Sequence, residues 1–192
     1  MAVEKKRLTK ETDITLKLEL HSEEESTIET GIGFFDHMLH ALAKHSRTHV
    51  ELRCTGDLNV DFHHTVEDVG IVLGSAFYEA VYPVLNIARF ADRIAILDEA
   101  AVSCALDISG RPYLFCDLSL SGKIGDFDAE LTAEFFRAFV SNMKIGAHIT
   151  LLRGNNKHHI VEAAFKAFAI ALRSALAVDG EVKAAPSTKG VL

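Results

Sequence analysis

Apolar and polar residues alternate along residues 13–20, with Ile14, Leu16, Leu18 and Leu20 on one side, and that period of two predicts a half-buried strand. A shorter strand is expected at 26–30, after which Thr30-Gly31-Ile32-Gly33 breaks the chain. Phe34, Phe35, Met38, Leu39 and Leu42 recur at helical spacing and predict a helix over 34–44. Residues 48–54 read as a strand, 55–59 as a turn, and 65–82 as a long helix stopped by Pro83. The same order then returns. Strands are expected at 93–97, 100–108 and 113–118, a helix at 126–144, a strand at 147–152, a turn at 154–156 and a helix from 158 to 178. Phe34-Phe35 and Phe135-Phe136 mark the first helix of each half. The pattern predicts an α+β fold built by internal duplication, with a period of about 95 to 100 residues. Each half, about 1–90 and 91–192, is expected to be a mostly antiparallel sheet covered by helices on one face, the two halves forming a single domain. Residues 181–192 lose periodicity, and Pro186-Ser187-Thr188-Lys189-Gly190 reads as an exposed loop.

Composition narrows the class. A net charge of -7 argues against a general nucleic-acid binder, which carries a basic excess. No apolar run is long enough to span a membrane, and the first ten residues are charged, unlike a signal sequence. Cys54, Cys104 and Cys116 are widely spaced in strand-like runs, as expected of buried free thiols in a reducing cytoplasm.

The candidate chemistry lies in a repeated motif. His63-His64-Thr65-Val66-Glu67 and His158-His159-Ile160-Val161-Glu162 each open a helical stretch. Residues four apart share a helix face, so His63 can meet Glu67 and His158 can meet Glu162. The second histidine of each pair points about 100° away, towards a different site. Neutral imidazoles with carboxylates suit manganese, iron or zinc. His45 and His148 occupy comparable places in the two halves and are weaker candidates on spacing; His49 lies close to that alignment but also reads as a surface strand residue. His37 can reach the site from its helix, whereas His40 and His21 are expected in solvent. Arg89, Arg111, Lys166, Ser187 and Lys189 fall at element ends or in loops, where each is either a surface group or a ligand for a small anion. Arg111, in the turn Ser109-Gly110-Arg111-Pro112, is placed for bidentate phosphate binding. There is no Walker loop or dinucleotide fingerprint.

At these residues the chain resembles the imidazoleglycerol-phosphate dehydratase family of histidine biosynthesis, in its single-function form, with no phosphatase-type segment expected ahead of the domain. The resemblance rests on Thr9-Lys10-Glu11-Thr12, Gly33-Phe34-Phe35-Asp36-His37-Met38-Leu39, both His-His-x-x-Glu stretches, Leu106-Asp107-Ile108-Ser109-Gly110-Arg111-Pro112, residues 156–166 and the 186–190 loop. Asp61-Phe62 stands where the family has Asp-Asp, Ser46 and Ala91 where it has Gly, and Ala147 where it has Leu. The resemblance implies a cytoplasmic homo-oligomer of about 24 subunits with sites between subunits. It implies two manganese ions per active site, held by His45, His63, His64, Glu67, His148, His158, His159 and Glu162. The implied substrate is a small phosphate ester, imidazole glycerol phosphate, dehydrated to imidazole acetol phosphate through an imidazolate and a diazafulvene-like intermediate. Glu11 matches the acid–base carboxylate, which by itself reads as a solvated residue ahead of a strand. Arg89, Arg111, Lys166, Ser187 and Lys189 match the phosphate pocket, and His37 the substrate-contacting helix. A dinuclear metal phosphoesterase and a non-catalytic metal-binding assembly protein are the competing readings of the same donors.

Overall fold

Alternation along a strand sends successive side chains to opposite faces, and it organises both sheets of this chain. The computed structural model describes residues 2–83, 86–178 and 187. The first half runs β1 (Ala2–Leu8), β2 (Thr12–Leu20), β3 (Thr27–Glu29), α1 (Gly33–Ser46), β4 (Thr48–Gly56) and α2 (His63–Val81). The second runs β5 (Phe90–Leu97), β6 (Ala100–Asp107), β7 (Tyr113–Asp117), β8 (Lys123–Ile124), β9 (Phe127–Asp128), α3 (Leu131–Met143), β10 (Gly146–Arg153) and α4 (Lys157–Ala175). The sheets have strand orders β1-β2-β4-β3 and β5-β6-β10-β7. In each, the first three strands pair antiparallel and the fourth pairs parallel across a helical crossover. The β8–β9 hairpin alone lacks a counterpart among the described elements.

Two departures from the periodic pattern have local causes. Residues 2–8 form an edge strand, although their sequence is mostly charged; only Val3 is buried, and charges suit a sheet edge. The helix expected from 126 starts at Leu131, because Gly125 takes a positive φ and Phe127 pairs in a hairpin. Phe127 then packs its ring on Phe34 and Phe35.

Helices of one half pack on helices of the other, α1 on α4 and α2 on α3. Phe35, Phe77, Phe135, Phe136, Phe139, Phe165 and Phe168 are fully buried in this layer. Glycine lets α2 approach α3 closely. A Cβ at Gly70 would lie 2.8 Å from the Ala138 Cβ, and one at Gly74 would strike the Phe139 carbonyl. The two outer sheet faces differ. The first carries ion pairs, Lys17–Glu51 at 3.1 Å and Arg53–Glu29 at 2.9 Å. The second exposes Phe90, Ile94, Ile96, Tyr113 and Phe115. Cys54, Cys104 and Cys116 are free thiols, and burial pushes Cys54 and Cys116 up to about 11, far from a nucleophilic thiolate. Among the described residues no helix is long and apolar enough to cross a membrane.

Candidate active site

Each histidine pair is preceded by a side-chain acceptor for its first amide. The Asp61 side chain accepts from the His63 amide at 2.7 Å, and the Asn156 side chain accepts from the His158 amide at 3.0 Å. A short acceptor two residues ahead satisfies an amide that a first helical turn leaves without a partner. Each histidine pair therefore starts its helix at a fixed rotation. The rings of His63 and His64 stand at 90°, and those of His158 and His159 at 81°.

On α4, His158 Nε2 lies 3.3 Å from Glu162 Oε2. His37, on α1, brings its Nε2 to the same oxygen at 3.3 Å. Donor atoms of His37, His158 and Glu162 all fall within 4.8 Å of one another, a spacing that fits one cation. Lys166 donates to the other Glu162 oxygen at 2.7 Å. Burial alone would raise the Glu162 carboxyl, but the Lys166 ammonium and then His37 outweigh it and hold it below the usual range. His45, half-buried on α1, is held below the ordinary histidine value by burial first and then by Lys166 and Arg173. Its ring is thus kept neutral beside this cluster.

On α2, His63 Nε2 lies 4.0 Å from Glu67 Oε2. His63 also borders a cavity of about 440 Å³ that Glu130, Glu134 and Arg137 help to line. His64 turns towards the β1–β2 and β4–α2 turns. Its Nδ1 is 3.0 Å from Asp57, and its Nε2 is 3.8 Å from Glu11. Contact with Asp57 raises the His64 imidazole, against a smaller opposing effect of burial. The Thr9 hydroxyl accepts from the amides of Glu11 and Thr12 and shapes the turn that carries Glu11. Thr12 donates to Asp68 at 2.5 Å, and Arg7 pairs with Asp68 at 2.8 Å. Asp68 thereby ties the Glu11 hairpin to the helix that carries the first motif.

His159 repeats the His64 arrangement with another partner. Its Nδ1 lies 2.7 Å from Glu99 Oε2, which raises the imidazole and pulls Glu99 down to about 2, the His159 bond first and the Asn156 amide next.

The remaining candidates are dispersed within one copy. His148 is exposed on the outer face of the second sheet, between the rings of Tyr113 and Phe115, while its neighbours Ala147 and Ile149 face the helices. It shares a cavity of about 340 Å³ with Asp107, Ser109, Arg111 and Tyr113. Arg89 pairs with Asp107 at 2.7 Å, and its guanidinium stacks over the Phe90 ring at 4.5 Å. Ser187 is half-buried in a bend, and Lys189 lies outside the described residues. His49 is buried, with Nε2 3.1 Å from Glu51. Asp57, Glu99 and Asp68 escaped the sequence reading, since nothing local distinguishes them from surface acids. For Asp68 the one available signal was its place directly after Glu67.

Comparison with known proteins agrees along the whole chain. The family profile described as imidazoleglycerol-phosphate dehydratase matches residues 30–172. The chain is 58% identical over 186 residues to the imidazoleglycerol-phosphate dehydratase of Nitratiruptor sp., covering 97% of each. It is 60% identical over 187 residues to that of Nautilia profundicola, covering 97% of this chain and 98% of the relative. A crystal structure of the Staphylococcus aureus enzyme superposes with a TM-score of 0.85 at 39% identity, covering 93% of this chain and 99% of that one. The Pyrococcus furiosus enzyme in complex with (S)-C348 also gives 0.85, at 37% identity over 98% of this chain and 100% of the other.

Proposed function

Because the chain belongs to the imidazoleglycerol-phosphate dehydratase family, a group of hydro-lyases, we propose that its two His-His-x-x-Glu helices hold two manganese ions at each active site. Membership fixes the reaction as dehydration of imidazoleglycerol phosphate in histidine biosynthesis. The observation that carries the metal reading is the convergence of His37, His158 and Glu162 within 4.8 Å. The donor set fits the ion: imidazole nitrogens with a carboxylate that Lys166 keeps ionised, all oxygen and nitrogen and no thiolate. His37 joins the ligands in this reading, beside its expected contact with substrate. His63 with Glu67 serves the other ion, and His64 and His159, turned away from their helix partners, reach across to neighbouring sites. His45 lies beside the first cluster, and His148 can serve a metal only in another copy.

When bound, the cations supply Lewis-acid stabilisation of negative charge on the substrate's imidazole ring. The chain's own residues supply the rest. Glu11 projects from a braced hairpin, half-exposed, 3.8 Å from His64 Nε2, where its carboxylate takes a proton from carbon and returns one to the departing hydroxyl. Arg89, Arg111, Lys166, Ser187 and Lys189 are assigned to the phosphate end, with Arg111 exposed at the rim of the His148 cavity. Arg111 and His148 sit on the far side of the second sheet from α4, which supports active sites completed between copies in a homo-oligomer of about 24 subunits. Three free cysteines are in keeping with a cytoplasmic enzyme.

A continuous assay with imidazoleglycerol phosphate and manganese tests the reading. Glu11→Gln should lower kcat by about 10²–10⁴-fold while manganese content stays at the wild-type level. Undiminished turnover would remove Glu11 from the chemistry, and release of inorganic phosphate would point to a phosphoesterase instead.

A further inference from the structure

We propose that Asp57 and Glu99 are positioning residues that fix the second histidine of each motif, His64 and His159, in the tautomer that offers Nε2 to a metal. The proposal rests on the metal reading above and adds two residues to it.

A carboxylate only accepts hydrogen bonds. In the neutral ring, an imidazole nitrogen facing one at 3.0 Å, as His64 Nδ1 faces Asp57, carries the single proton there and leaves the lone pair on Nε2. His159 Nδ1 faces Glu99 at 2.7 Å with the same result. Both residues are themselves anchored, Glu99 through its carboxylate and Asp57 through its backbone. The Glu99 Oε1 accepts from the amides of Asn155 and Asn156 at 3.2 and 2.8 Å, so one side chain spans the start of α4 and the ring of His159. The Asp57 amide donates to the Glu11 carbonyl at 3.0 Å, which joins the two turns around His64.

The two carboxylates come from non-equivalent places in the duplicated frame, which makes their agreement informative. Asp57 directly follows β4. Its counterpart after β10 is Gly154, with φ of +146°. A Cβ there would lie 2.9 Å from Ile160 Cγ1 and 3.0 Å from the Ala100 Cβ, so that position has no room for an acid. In the second half the β5–β6 hairpin supplies Glu99 instead. The matching hairpin of the first half, β1–β2, carries Glu11. With Asp57 already on His64 Nδ1, Glu11 is left on the Nε2 side of the ring. One hairpin carboxylate orients a histidine, and its counterpart is released for proton transfer.

Asp57→Asn and Glu99→Gln test this, because an amide can turn its N–H towards Nδ1 and drive the ring proton to Nε2. Solid-state 15N spectra of histidine-labelled, metal-free protein, taken at a pH where both rings are neutral, should show His64 and His159 protonated on Nδ1 alone, and each amide variant should lose that signal at its own histidine. Manganese titration by electron paramagnetic resonance should show about 10–100-fold weaker binding in each variant. Thermal unfolding of the metal-free variants should match wild type, and Asp57→Glu and Glu99→Asp should recover part of the affinity. Wild-type rings protonated on Nε2 would overturn the proposal whatever the metal does. Wild-type affinity in both amide variants would overturn it while leaving the metal reading intact. A wild-type protein that binds no manganese would overturn the metal reading, and with it the positioning role.

Discussion

Asp68 reaches no reacting atom in this reading, yet it decides where Glu11 stands. Its buried carboxylate accepts from Thr12 and pairs with Arg7, so the hairpin that carries Glu11 is held to the first turns of α2. Removing it leaves the buried Thr12 hydroxyl with its weaker 3.2 Å contact to the Thr9 hydroxyl and unpairs a guanidinium that is partly in water, with 38% of the Arg7 side chain exposed. Asp68→Ala should therefore cost about 2–3 kcal/mol, at the low end for a broken buried pair because Arg7 regains some solvent. Urea unfolding at equilibrium checks this, and an unchanged midpoint would show that the hairpin is held by something else. The pairs His63–Glu67 and His158–Glu162 were legible at this scale, since four residues on a helix bring side chains together whatever surrounds them. His37 was legible only as a residue near the site. It meets Glu162 across 125 positions of sequence, a contact that exists because α1 packs on α4.

Between elements, the seam of α2 and α3 depends on the absence of side chains. Gly70 and Gly74 lie one turn apart on α2 and face the backbone of α3. Gly74→Ala would press a methyl into the Phe139 carbonyl, and separation of the helices should outweigh the gain in helix propensity. The expected loss is about 1–3 kcal/mol, read as a lower denaturation midpoint at constant slope. A stabilised variant would mean that the helices can slide apart freely. Most elements followed from periodicity. The exceptions were β1, whose charges suit an edge and mask the alternation, and the start of α3, delayed by the Gly125 turn and the Phe127 hairpin.

For the whole molecule, the duplicated halves have diverged on their outer faces. The first sheet presents paired charges to solvent, whereas the second exposes Ile94 and Ile96 at 62% and 70% with Phe90 on its edge strand β5, and Tyr113 and Phe115 on the opposite edge strand β7. Exposed apolar side chains of this kind suit a subunit contact. Ile94→Glu combined with Ile96→Glu should yield smaller species by light scattering with size exclusion; an unchanged mass would take this face out of the proposed assembly. The sequence by itself determined the duplicated α+β plan, the two histidine-rich helices and the family, because helix and strand periods and the motifs are local properties of the chain. Tertiary structure alone decided that Asp57 serves His64, that Glu99 rather than a residue at position 154 serves His159, and that His148 faces away from the helices. Those outcomes depend on steric room and strand register between segments far apart in sequence, and no local period encodes them.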